Sequence, residues 1–227
     1  NGQLGTVSEY VTGIQNGTID LAPAVTSFVA NFCPNVSVFE MPFLFEDYDH
    51  VWEALDGSVG ETLTADLEAN NIIPLIWWGI GFRNVTTSEN HPINSVEDLK
   101  GFRIRIMQSE IQQSLIQALG ADAVPMDWGE LYTALQQGTV DGEENPYTQV
   151  FSSNIWEVNP IIVETKHEFS PSVFMMSPSV AGKLSEDQMN ILYECAEACK
   201  PIFRQATVDI NDEALQSLQD AGCSFVN

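Results

Sequence analysis

Positive charge is scarce in this chain: 8 lysines and arginines stand against 32 aspartates and glutamates in 227 residues, a net charge of −24 at neutral pH. Binding a phosphate backbone or anionic lipid headgroups depends on clustered cations, so nucleic acid and membrane surfaces are poor partners for it. No apolar run approaches the roughly 20 residues that span a bilayer, so direct membrane insertion is not expected. Cysteine is also sparse. Cys33, Cys195, Cys199 and Cys223 form no CxxC or Cys/His cluster, which disfavours zinc, and they read as small buried apolar residues in preference to disulfide partners. The three histidines, His50, His91 and His167, are scattered, and no G-x-S-x-G, H-E-x-x-H, P-loop or G-x-G-x-x-G sequence occurs. The sequence therefore nominates no catalytic residue, metal ligand or cofactor cradle.

What is present is the composition of a globular protein, 44% hydrophobic and long enough for one large or two small domains. Val7, Tyr10, Val11 and Ile14 recur at helical spacing and stop at Gly17, after which TIDLAPAV has strand character. Tyr48 to Leu55 and Val59 to Asn70 read as helices before the strand IIPLIWWG. SVEDLKG carries a capping box, Ser95 with Asp98, ahead of FRIRIM, which alternates Phe102, Ile104 and Ile106 against Arg103, Arg105 and Met107. A helix from Ser109 to Leu119, the strand AVPM and a helix opened by a second box, Asp127 with Glu130, follow. Asn145 and Pro146 read as cap and first residue of a helix over YTQVFSSNIWEV. IIVETKHEF and SVFMMS read as two strands. Ser185 and Gln188 cap a last helical stretch reaching to about Gly222, which Pro201 should kink or break. This alternation predicts a layered α/β fold. No Pro- or Ser-rich linker is present, so any two domains must be joined by strands or helices.

Two sets of residues could carry chemistry. The acids of VDGEEN, Asp141, Glu143 and Glu144, could divide acid and base roles on a glycoside. No nucleophile lies near them, and they read as scaffold and solvent-facing charge. The chain has four arginines, and Arg83, Arg103 and Arg105 fall close together while Arg204 stands apart. In a strongly acidic protein an anion site needs fixed guanidinium groups offering paired donors to a carboxylate; the plainer alternative is ion pairing with the many acids. Trp77, Trp78 and Trp128 suit stacking on a sugar or a small acid, although core packing fits at least one of the adjacent pair better. His167 in TKHEF reads as a satisfied polar residue that stays a candidate for ligand contact.

In order along the chain, NGQLG, NGTIDLA, MPFLFEDYDHV, GFRNVTTS, PINSVEDLKGFRIRIM, ALGADAVPM, ELYTALQQGTVDGEENP and WEV resemble the solute-binding proteins of tripartite ATP-independent periplasmic (TRAP) transporters, the DctP-like family. The resemblance covers nearly the whole chain. It implies a two-domain periplasmic-binding-protein fold of type II-like form, with hinge strands and a long domain-spanning helix. Residues 1–82 and 171–210 would form domain I, 83–170 and 211–227 domain II, with a ligand cleft that closes on its ligand. NGQLGT opens without Met in a turn-like segment, so residues are expected before Asn1, and the family's first strand and helix are expected to be missing from this chain.

By the same resemblance Arg105 makes the two-pronged salt bridge to a ligand carboxylate. Asn145 and Arg83 complete its cage, Trp128 covers the ligand, and Gln108 is a polar contact. Trp78 and His167 join them as candidates. The chain departs from the family at Met107, where proline is usual, and at Glu143, where the related motif has glutamine. LAPAVTS lacks the acid of sialic-acid binders. The implied function is capture of a small organic acid, first a uronate or aldonate and otherwise a C4-dicarboxylate or another monocarboxylate. Delivery would be to TRAP permease subunits from a periplasmic or cell-surface location. A ligand sensor on the same fold is the alternative, and no enzyme activity is implied.

Overall fold

The computed structural model of the protein describes residues 5–227, so the NGQLG motif lies, apart from Gly5, outside the described residues. The chain runs α1 (Val7–Asn16), β1 (Leu21–Val25), α2 (Thr26–Val29), α3 (Tyr48–Asp56), α4 (Ser58–Ala69) and β2 (Ile73–Thr87). It continues with β3 (Arg103–Ile106), α5 (Glu110–Ala118), β4 (Asp122–Pro125), α6 (Trp128–Gln136), β5 (Gly142–Asn145) and α7 (Tyr147–Ser152). Last come β6 (Ile161–Met176), α8 (Pro178–Ala181), α9 (Glu186–Asp220) and β7 (Ser224–Val226). These elements divide into two compact units, Asn1–Phe39 with Phe45–Gly79 and Ser170–Val208, and Glu40–Leu44 with Ile80–Phe169 and Asp209–Asn227. Apart from the short excursion Glu40–Leu44, the unit boundaries fall inside β2, β6 and α9, so three regular elements carry the chain from one unit into the other.

In the first unit β1 pairs antiparallel with the end of β6, from Leu21 opposite Met176 to Val25 opposite Ser172. Helix α1 begins in a capping box, Thr6 with Glu9, and ends where Gly17 turns left-handed at φ 76°, a conformation that costs a residue without Cβ little. Val11, Ile14, Val51, Leu67 and Ile72 are fully buried there.

In the second unit β4 and β3 run parallel, β3 and β5 run parallel, and β5 pairs antiparallel with the end of β2. Strand β7 adds in parallel to the start of β6. Val85, Phe102, Ile104, Ile106 and Ile116 form one apolar cluster; Leu131, Leu135, Val150, Ile162 and Leu218 form another. A parallel strand paired on both edges and covered on both sides has few exposed positions, so Ile104, Arg105 and Ile106 are all buried and the alternation read from FRIRIM does not become an inside and an outside.

Several expectations are corrected. IIVETKHEF and SVFMMS are one continuous strand, because Ser172 and its successors keep pairing with β1 across the Ser-Pro-Ser stretch. Pro146, not Asn145, occupies the cap position of α7, and the Asn145 side chain bonds Glu143 within the sheet. Asp127 precedes α6 without a side-chain cap bond. Pro201 sits inside an unbroken α9; it and Glu197, whose carbonyl loses its helical donor, are both exposed, so the lost bond does not leave a buried polar group. Cys33 is buried as expected, but Cys195 is exposed on α9 and Cys199 and Cys223 are half-buried; all four are unpaired thiols.

Candidate functional site

Arg105 is held by the middle of β3, opposite Val124 on β4 and Glu143 on β5. Its guanidinium is only 1% exposed. Nε and Nη2 donate to the carbonyl oxygen of Met126 at 3.0 and 2.7 Å, and the guanidinium carbon lies 5.7 Å from the centre of the Trp128 ring. Burial pushes its pKa down to about 10, against the pull of Glu144, so the group stays charged at neutral pH. The other three arginines meet carboxylates: Arg83 meets Glu144, Arg103 meets Asp141 at 2.6 Å and Arg204 meets Asp56 at 2.9 Å. Arg105 forms no ion pair among the described residues. A buried charge without a counter-ion is costly, so the arrangement favours an incoming anion.

Arg83 and Glu144 are both buried at about 1% exposure. Arg83 donates from Nε to Glu144, from Nη2 to Oε1 at 2.8 Å, and also to the Glu144 backbone carbonyl. His167 places Nε2 3.4 Å from Glu144 Oε2, while its Nδ1 lies 2.8 Å from the Thr165 hydroxyl. Burial alone would raise the Glu144 pKa, but the Arg83 charge and the His167 contact hold it at about 2. Arg83 is therefore engaged with Glu144 by three hydrogen bonds from two nitrogens of its fork, and its own pKa is raised because that attraction outweighs burial.

Asn145 is 4% exposed and lies opposite Asn84 in the sheet. Its Nδ2 donates to Glu143, which also accepts from the Thr86 hydroxyl at 2.8 Å. Burial pushes the Glu143 carboxyl up to about 7, with those two bonds opposing it. On β6, Glu168 accepts from Gln112 Nε2 at 3.1 Å to each oxygen, and burial carries its pKa well above the usual carboxylate range. Glu143 and Glu144 are thus not the solvent-facing charges that their turn-like sequence suggests: β2 and β3 flank β5 on both edges and close them off. Asp141 alone of the three stays at the rim, paired with the half-exposed Arg103.

Trp128 opens α6 and is 36% exposed, so its ring has a free face beside Arg105. Gln108 is exposed just past β3. Trp78 belongs to the first unit, packed on Phe203 with ring centres 5.5 Å apart, and Trp77 is core, donating to Thr64 at 3.2 Å. The structure therefore brings Arg105 together with Trp128, Asn145 with Glu143, and Arg83 with Glu144 and His167, all in the second unit; Trp78 is a residue of the first. Sequence reading missed Thr86, Gln112 and Glu168. Their signal was faint: polar residues inside strand-like runs, where an unneeded polar group would be excluded from the core.

The family described as bacterial extracellular solute-binding protein, family 7 (DctP), matches residues 1–227. The 2,3-diketo-L-gulonate-binding periplasmic protein of Escherichia coli is 30% identical over 223 residues, covering 98% of this chain and 68% of that protein. The solved sugar acid binding protein of Advenella mimigardefordensis, in complex with galactonate, matches with a TM-score of 0.95 at 33% identity, over 100% of this chain and 73% of that one. A TRAP periplasmic solute-binding protein from a Polaromonas species, bound to D-erythronate, matches with a TM-score of 0.94 at 34% identity, over 100% and 74%. The chain shares their two-domain type II-like α/β fold.

Proposed function

The chain belongs to the DctP family of extracellular solute-binding proteins, the binding components of TRAP transporters, and from that premise we propose that it captures a sugar acid, an aldonate or uronate, through Arg105. The observation that carries this reading is the buried Arg105 guanidinium, the one arginine without an acidic partner among the described residues. A guanidinium and a carboxylate about 4 Å apart attract by roughly 4 kcal/mol at an effective dielectric near 20, and desolvation of the ligand offsets part of this. Arg105 has already lost its own hydration, so the protein has met its share of that cost on folding. Asn145 adds an amide donor or acceptor, and Trp128 offers an apolar ring face to the ligand's carbon chain.

One buried guanidinium without an acidic partner among the described residues matches one carboxylate. A C4-dicarboxylate would need a second cation, and Arg83 is engaged by Glu144. A monocarboxylate bearing hydroxyls fits better, with Gln108 among the side chains placed to read them. The relatives named for diketogulonate, galactonate and D-erythronate support that class. Membership of the family supports delivery to TRAP permease subunits from the periplasm as part of this reading. An acid–base reaction is disfavoured because both carboxyl groups are already committed within the sheet, Glu144 to Arg83 and Glu143 to Thr86 and Asn145.

The test is a thermal-shift and calorimetric screen of aldonates, uronates and C4-dicarboxylates. Stoichiometric binding of an aldonate or uronate that vanishes in Arg105→Ala supports the reading. Equal or tighter binding of succinate would replace the ligand class, and retained affinity in Arg105→Ala would move the carboxylate elsewhere.

A further inference from the structure

Glu143 has no role in the capture described so far. It is fully buried, yet its carboxyl has no arginine of its own: Arg83, from β2, is engaged by the adjacent Glu144, and the guanidinium of β3, Arg105, is bonded to the Met126 carbonyl. In register Glu143 lies opposite Arg105 on one side and Thr86 on the other. Residues directly opposite in a sheet point to the same face, as does Asn145 two residues on along the strand. Both oxygens are in use: Oε1 accepts from the Thr86 hydroxyl at 2.8 Å, and Oε2 accepts from Asn145 Nδ2. That second bond fixes the Asn145 amide, leaving its other N–H and its carbonyl to face elsewhere.

Resting on the carboxylate-capture reading, we propose that Glu143 is a positioning residue that orients the Asn145 amide and takes up a proton when a ligand carboxylate binds Arg105. An ionised Glu143 and a ligand carboxylate at Arg105 would repel one another in a site of low dielectric, since Glu143 lies opposite Arg105 in the sheet. Two carboxylates sharing such a site do not both stay ionised, and the member that can accept a proton does so. The charged groups facing Glu143 are Glu144 on its own strand, Arg83 from β2 and Arg105 from β3; on β6, His167 contacts Glu144 and Glu168 is bonded to Gln112. Glu144 is fixed as an anion by Arg83, so it does not take the proton. Burial already places the Glu143 carboxyl at about 7, within reach of a modest change in local charge. Thr86 and Asn145 then serve a protonated carboxyl as well as an ionised one, because the hydroxyl of Thr86 can accept as well as donate.

Calorimetry with galactonate, in buffers of different ionisation enthalpy and across pH 6 to 8.5, tests this. At pH 7 wild-type protein should take up about half a proton per ligand, and above pH 7 affinity should fall by up to about tenfold per pH unit. Glu143→Gln, which mimics the protonated acid, should bind at the wild type's low-pH affinity with no proton uptake and no slope. Glu143→Ala, which frees the Asn145 amide, should bind more weakly than Glu143→Gln at every pH, also without slope. Tight wild-type binding with a flat pH profile would overturn the proton coupling and leave sugar-acid capture standing. The same slope persisting in Glu143→Gln would overturn it too, assigning the proton to a group other than Glu143. No binding of galactonate, D-erythronate or galacturonate to either protein would overturn capture and, with it, this role.

Discussion

Arg105 and Arg83 look alike in the sequence and should behave oppositely on mutation. Arg105→Ala removes a buried charge that has no acidic partner, so the unliganded protein should keep its stability or gain some while losing carboxylate binding. Arg83→Ala strands Glu144, buried and ionised, and should cost about 3–5 kcal/mol in urea denaturation. A loss under about 1 kcal/mol would show that the pair contributes little to the fold. Titration separates the acids in the same way. Folded Glu143 keeps its proton up to about 7, whereas the unfolded chain releases it near 4.3, so stability should fall as pH rises through that window, by on the order of 3 kcal/mol from this residue. Glu144, held at about 2, acts in the opposite sense, and its contribution is lost as pH falls from about 4.3 towards 2. Glu143→Gln should flatten the upper window, as urea midpoints between pH 5 and 8 would show. The importance of Arg105 was legible from the rarity of arginine and from the family motif. Its difference from Arg83 was not, because which guanidinium meets which carboxylate depends on strand register.

Strand β5 is four residues long, yet it positions Glu143, Glu144 and Asn145 together. It fits a narrow slot: a Cβ on Gly142 would come 2.4 Å from the Thr86 carbonyl oxygen and 2.6 Å from the Phe102 ring. Gly142→Ala should therefore cost about 1–3 kcal/mol and weaken ligand binding by shifting the carboxylates; unchanged affinity in titration calorimetry would argue that β5 does not position the site. Helix α9 offers the reverse case. Pro201 lies exposed in its interior, and Pro201→Ala should restore a backbone hydrogen bond and raise stability by about 1 kcal/mol or more, read from the urea midpoint. Helices and their stops were the most legible elements, since Ser95 and Gly17 act through neighbours within a few residues. The continuity of β6 was not legible. Its Ser-Pro-Ser stretch punctuates locally, and only pairing with β1, some 150 residues away in sequence, overrides that signal.

At the scale of the whole chain, 32 acids against 8 bases create a field that repels the ligand class proposed for it. Association of a sugar acid should accordingly speed up as salt rises from about 10 mM to 150 mM, because screening weakens the distant acids more than the buried Arg105. Stopped-flow Trp128 fluorescence would read it, and a rate that falls with salt would show that local attraction dominates the approach. Family and fold class were legible at this scale from motif order alone. The passage of β2, β6 and α9 between the units was visible in the residues only as the absence of a flexible linker; the hinge strands and spanning helix came from the family resemblance. The most direct test of the central claim is calorimetry of galactonate against wild-type and Arg105→Ala protein at neutral pH. One-to-one binding by the wild type and none by the variant, with both equally folded, is the expected result; equal binding by the two would contradict it.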